Sequence, residues 1–226
     1  MSNELLWLLA LAVNFGIIAA LKRAFGVEGL IAWVVIAAII ANVQVIKLVE
    51  IFGLTTTLGN IVYAGSFLAT DVIGELWGPK RARRTVLLGL CAIFCATVLM
   101  NLALQFEPSA IDESQGALAL IFGLLPRIAA ASAIAYAVSQ LHDVWAFAWW
   151  RKTAPGKLWL RNLASTTVSQ LLDTVVFTLL AFAGTVPTAV LIEIVITTYV
   201  FKLLVAVLDT PMIYWLTRER QALTER

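Results

Sequence analysis

Apolar runs follow one another almost from end to end of this sequence, and most of the bases sit in the short segments between them. A helical run of about 20 apolar residues matches the thickness of a bilayer's hydrocarbon core. Composition removes the alternative of a soluble interior. Of 226 residues, 61% are hydrophobic and 13% charged, and the mean hydropathy is +0.92. A soluble domain is about a quarter charged. The chain therefore reads as all-α, a polytopic membrane bundle of about seven helices of ~20 residues each. Residues 1–226 form one transmembrane domain in this reading, with an extra N-terminal span over 1–28 and a core over 29–216.

The expected spans are residues 5–20, 30–52, 61–77, 85–106, 127–150, 163–183 and 188–216. Glu4 precedes the first and Lys22 and Arg23 follow it. A cleaved signal peptide carries its bases first, so this run reads as a true span. Lys80, Arg81, Arg83 and Arg84 place four bases in five residues beside the third span, and such clusters gather on the cytoplasmic side. Lys22 and Arg23, the segment from Arg151 to Arg161, and Arg218 with Arg220 fall on that same side if every span crosses. The base-free loop with Glu107, Asp112 and Glu113 falls opposite. The expected topology is N-out and C-in. The third span is short and polar, with Gly65 and Gly74, and is open to being broken or re-entrant. Re-entry would leave Lys22 and Arg23 outside. Pro126 divides the run 118–150, the segments 53–60 and 184–187 read as turns, and Trp145, Trp149 and Trp150 suit the inner interface.

Within the apolar runs one phrase occurs twice. Ser139-Gln140-Leu141-His142-Asp143 leads to Phe147, and Ser169-Gln170-Leu171-Leu172-Asp173 leads to Phe177. On a helix, positions three and four apart share a face, so each Ser, Gln and Asp form one stripe. The basic segment between the copies makes the two helices antiparallel neighbours. At about 1.5 Å per residue the two Gln stand nearly level, with Asp143 nearer the basic end and Asp173 past the midplane. Polar side chains can serve as hydrogen-bonding glue between membrane helices. Glue accounts for Ser and Gln better than for a carboxylate, since intramembrane ionisable groups are costly and mark function by default.

Lys202 is the most isolated base, about 21 Å by helix rise from either end of its span and too deep to reach water. A charged lysine there costs roughly 2.5–3.5 kcal/mol on insertion scales. It should face a cavity or an acid: Asp209, seven residues on and on the same face, offers a structural pair, a place in a substrate or proton path is the other reading, and which acid pairs with Lys202 is left open. Glu193 lies on the opposite face and serves another neighbour in this reading. Cys91 and Cys95 are the only cysteines and read as small hydrophobes; with the single His142 they cannot build a metal site. No GxxxxGK[ST] loop marks an ATPase.

These stretches resemble the vitamin-uptake-type family of bacterial queuosine precursor transporters. The matching phrases are Ala41 to Lys47 with Ile51-Phe52-Gly53, and Gly59-Asn60-Ile61 with Phe67 to Asp71, Glu75, Gly78 and the bases at 80–84. They continue with Arg127-Ile128-Ala129, Ser132, Ala135-Tyr136, both Ser-Gln-x-x-Asp copies, Trp159 to Asn162, Ser165-Thr166, Thr174, and Tyr199 with Lys202. The resemblance covers about residues 40–211, leaves the first span outside, and departs mildly at Asn162-Leu163.

The resemblance implies import of 7-deazaguanine bases (preQ0 or preQ1) across the bacterial inner membrane for tRNA modification. It implies a small-molecule substrate and the lipid bilayer as partners, with no nucleic acid, cofactor, metal or enzymatic activity; a homodimer is left open. The candidate substrate-binding residues are Asn42, Gln44, Asn60, Asp71 and Tyr136, with Ser139, Gln140, Asp143, Ser169, Gln170 and Asp173 from the repeat. Lys47, Glu75, Arg127, Lys202 and Asp209 are candidates for charge pairing or coupling. The chemistry is compatible: a carboxylate accepts two adjacent donors of a guanine-like edge, and Tyr136, Phe147 and Phe177 offer rings to stack on. One alternative is the substrate-binding subunit of an energy-coupling-factor vitamin importer, which needs an ATPase partner. Another is an intramembrane enzyme with carboxylate catalysts, since no HExxH or GxSxG pattern is present.

Overall fold

The first two expected spans lie in one helix, α1 (Asn3–Gln44), interrupted only at Gly26, whose φ of 61° and ψ of −131° are not helical. A straight helix of that length reaches about 63 Å. Yet the Asn3 side-chain amide donates to the Glu50 carbonyl at 2.9 Å, and the Glu4 carboxylate accepts from the Phe52 N–H at 3.2 Å. The six residues from 44 to 50 can cover only about 21 Å. The chain therefore folds back at Gly26, where a positive φ suits glycine, and residues 3–25 and 27–44 are antiparallel arms. The structure, a computed structural model, describes residues 2–45, 47–123, 126–184 and 187–224. Ile46 of the matched phrase and Thr185-Val186 of the expected outer turn lie outside them.

The second expected span ends early. After Gln44, β1 (Leu48–Ile51) pairs antiparallel with β2 (Leu54–Thr57) across a two-residue turn at Phe52-Gly53, with φ of 53° and 72°. Positive φ at both central residues is the type I′ geometry that matches strand twist. Val, Ile and Thr favour a pleated surface. A four-residue apolar strand reads like a last helical turn on hydropathy alone, hence the overrun. The expected turn over 53–60 is thus largely strand.

α2 (Asn60–Trp77) is a single unbroken helix, buried throughout residues 64–74, so neither Gly65 nor Gly74 interrupts it. Gly65 serves contact instead. A Cβ there would meet the Asn14 amide at 2.6 Å, and that amide donates to the Ile61 carbonyl at 3.0 Å, docking the first arm of α1 onto α2. α3 (Pro79–Ala103) follows at once, with proline at its start. A short α4 (Gln115–Leu118) and a π-turn (Ala119–Gly123) precede α5 (Pro126–Thr153), whose first residue is the dividing proline. α6 (Leu158–Phe182) and α7 (Thr188–Thr224) complete the bundle.

Counting the arms of α1 separately, seven long helical segments stand side by side among the described residues. Four helical stretches, α1, α3, α6 and residues Leu191–Arg218 of α7, are individually long and apolar enough to cross a membrane. α2 and α5, which carry much of the buried polar chemistry, are not among them. The basic segments converge on one end. Arg81 pairs with Glu28 at 3.3 Å, Arg151 donates to the Gly74 carbonyl at 2.6 Å, and the Trp159 N–H donates to the Tyr214 hydroxyl at 3.1 Å. Exposed Trp77, Trp145, Trp149, Trp159 and Trp215 surround that end, as indoles do at a membrane interface.

Candidate functional site

α5 and α6 pack antiparallel, and the repeat sets their register. Ser139 of the first copy donates to Asp173 of the second at 3.1 Å, while His142 Nδ1 lies 2.9 Å from the Ser169 hydroxyl. Asp143 lies against Ser169 in turn. The serine of each copy thus faces the aspartate of the other, and the two glutamines stand close to level. A two-fold relation between the copies is written in the contacts, although their other neighbours differ.

At the level of Asp173, α2 supplies Tyr63 and α7 supplies Lys202. The Lys202 ammonium makes a buried ion pair with Asp173 Oδ2, and the Tyr63 hydroxyl donates to Asp173 Oδ1. That hydroxyl also lies 3.3 Å from Ser139 Oγ, and the Lys202 ammonium stands 5.3 Å from the centre of the Tyr63 ring. Of the acids open to Lys202, the structure places it on Asp173 and not on Asp209. Two helical turns, about 10 Å, separate Lys202 from Asp209, and both side chains lean toward the helix N-terminus. Lys202 meets the carboxylate of the adjacent helix, so its charge is matched without reaching water.

This cluster forms the base of a cavity of about 470 Å³. Asn42, Asn60, Ser132, Tyr136, Asp173, Phe177, Thr178, Phe182, Glu193, Thr197 and Lys202 are among its lining residues, as is Gly53 of the β-turn. Phe177 and Phe182 meet edge to face at 5.9 Å. The cavity therefore opens toward the end opposite the bases, between the C-terminal half of α6 and the N-terminal half of α7. By helix rise, its base is about 13.5 Å below Phe182.

Below the cavity the polar side chains continue toward the basic end. Gln140 is held by Ser66 at 2.8 Å and Thr70 at 3.3 Å. Gln170, fully buried, makes no side-chain hydrogen bond among the described residues. Next come three buried acids from three helices, Asp71, Asp143 and Asp209, with Thr166 donating to Asp71 at 3.5 Å. Asp143 lies against Asp71, Ser165, Thr166 and Ser169, with no close hydrogen bond to either oxygen. At the basic end Glu75 pairs with buried Arg161 at 3.3 Å and with Arg151 at 3.8 Å.

Of the expected substrate residues, Asn42, Asn60, Tyr136 and Asp173 line the cavity. Gln44 is half-buried at the end of α1 and off the lining. Ser139 lies just beneath the base through its bond to Asp173, and Asp71, Gln140, Asp143, Ser169 and Gln170 are buried in the polar layers beneath it. Among the coupling candidates, Lys202 joins the cavity, Glu75 and Asp209 lie below it, and Lys47 is exposed beside the β-hairpin. Arg127 donates to the Leu180 and Ala183 carbonyls, both at 2.6 Å, and so caps the C-terminus of α6. Phe147 is corrected as a stacking ring: it is buried near Gly74 at the basic end, 5.7 Å from the Arg161 guanidinium. Glu193, assigned elsewhere by helical face, lines the same cavity as Lys202 because the lining curves around α7. Tyr63 was missed; it lies eight residues before Asp71 with no motif of its own to mark it.

Residues 57–216 match the sequence profile of a family described as "Putative vitamin uptake transporter". The chain is 44% identical over 216 residues, 95% of its length and 94% of the relative's, to a Bacillus subtilis (strain 168) protein named "Probable queuosine precursor transporter". It is 32% identical over 168 residues, 70% of its length and 71% of the relative's, to the Escherichia coli (strain K12) "Queuosine precursor transporter". No solved structure matches it significantly.

Proposed function

The chain belongs to the family of vitamin uptake transporters, and from that premise we propose that it carries queuosine precursors, the flat 7-deazaguanine bases preQ0 and preQ1, across the bacterial inner membrane. The observation that carries the reading is the cavity of about 470 Å³ ending on the buried Asp173–Lys202–Tyr63 cluster. Its size suits a small ligand, and a polar site at mid-membrane between repeat helices is where transporters bind. Asp173 accepts the ligand's donor edge, Lys202 pairs with its carboxylate, and Phe177 and Tyr136 bracket the ring. Asn42 and Asn60 offer amides to its carbonyl and ring nitrogens. Residues 29–216 form the transporting core, and residues 1–28 add a helix packed through Asn14. The gathered bases at one end support an N-out, C-in orientation, in which the cavity faces outward and Glu75 with Arg151 and Arg161 closes the inner side. A homodimer is part of this reading.

Purified protein in liposomes should take up both bases without any ATPase partner, whether or not a proton gradient is applied to set the rate. Uptake that appears only with an added ATPase module would make the chain a binding subunit. Folded protein that neither binds nor transports either base ends the reading. A single-cysteine label at residue 3 should react from outside and one at residue 155 should not, in a background without Cys91 and Cys95.

A further inference from the structure

The cavity carries three charged lining residues, and two of them cancel. Lys202 and Asp173 form an ion pair at the base. The third, Glu193, has no cationic partner among the described residues; it stands in the first turns of α7, partly in water, with Thr197 one turn deeper. The lining therefore has one net negative charge, placed toward the mouth. By rise, Glu193 lies about 13.5 Å above Lys202 on the same helix. Glu193 therefore stands nearer the mouth of the cavity and Asp173 at its base. A bicyclic base that presents its donor edge to Asp173 and carries a one-carbon arm with a terminal ammonium on its far side extends that cation toward Glu193. The same base ending in a neutral, linear nitrile places no donor at Glu193.

We propose that Glu193 is a specificity residue that selects ligands bearing a cation at the end distant from the donor edge, so that the chain prefers the aminomethyl form of the base to the cyano form. This rests on the function proposed above. The carboxylate accepts from the ammonium and matches its charge, while Thr197 and Thr198 line the path between the two acids. Glu193 is exposed at the mouth, and an exposed ion pair is weak, so the preference is modest, at about 2- to 5-fold.

The test is equilibrium binding of 7-aminomethyl- and 7-cyano-7-deazaguanine to detergent-purified wild-type protein, Glu193→Gln and Glu193→Asp at matched protein levels. Wild type should bind the amine about 2- to 5-fold more tightly; Glu193→Gln should lose most of that preference through the amine alone, and Glu193→Asp should keep part of it. Equal affinities in wild type, or a preference that survives in Glu193→Gln, overturns the assignment. Failure of wild type to bind either base brings down the functional reading itself, which separates the two failures.

Discussion

Asp143 and Asp173 occupy the same position in two copies of one phrase, yet their surroundings are opposite in character. Asp173 meets a lysine, a tyrosine hydroxyl and a cavity. Asp143 meets Asp71, which in turn lies near Asp209, and a layer of hydroxyls, with no ion pair to a base among the described residues. The difference comes from the other two helices. Going toward the basic end, α2 presents Tyr63 and then Asp71, and α7 presents Lys202 and then Asp209. The repeat builds a symmetrical frame, and α2 with α7 polarise it. A buried carboxylate paired with a cation beside a cavity is placed to receive a donor. Three buried carboxyls together cannot all be charged in a low-dielectric site, so they share protons or repel.

The sharpest way to break the comparison is to remove the cation. Lys202→Met leaves Asp173 buried and unmatched, and removing one partner of a buried pair costs about 3–5 kcal/mol. Denaturation of the purified variant should show that loss, and the double variant with Asp173→Asn should recover most of it. Recovery by Asp209→Asn instead would restore the intrahelical pair that the geometry excludes.

Next in size is ligand affinity. Asp173→Asn should weaken binding of a 7-deazaguanine by about 5- to 150-fold, the effect of leaving buried donors poorly matched at ~1–3 kcal/mol. Asp143→Asn should bind nearly as wild type does and transport more slowly, since Asp143 lies beneath the cavity. Equal binding losses in both variants would mean that the two acids share one site, and the contrast would be gone.

Phe177→Leu tests the aromatic wall beside Asp173. Loss of an aromatic contact worth ~0.5–1.5 kcal/mol predicts about 2- to 12-fold weaker binding. Phe147→Leu, at the equivalent place in the other copy, should change stability and leave affinity alone, as isothermal titration at matched folding would show. The smallest effect belongs to Asp209→Asn, an isosteric change at an acid without a lysine partner, expected within about 1 kcal/mol of wild-type stability. A larger loss would reveal a partner for Asp209 that the contacts do not show.

The sequence by itself determined that this chain is a membrane helix bundle, where its bases gather, and that the two Ser-Gln-x-x-Asp copies lie on antiparallel neighbouring helices. Those features follow from hydropathy and helical periodicity, which are properties of residues close along the chain. The reversal between residues 20 and 30 was legible from the bases Lys22 and Arg23, though not its place at Gly26 within one helical stretch, while the β-hairpin at 48–57 was hidden because short apolar pieces look alike until hydrogen bonds are drawn. Only the tertiary structure decided which acid receives Lys202, that Tyr63 and Glu193 share its cavity, and that Phe147 does not. Helical phase says which residues share a face, but whether that face meets a cation, a void or another acid depends on a helix that can be more than a hundred residues away. The polarity of two identical motifs is therefore a property of their neighbours, and neighbours are chosen by packing.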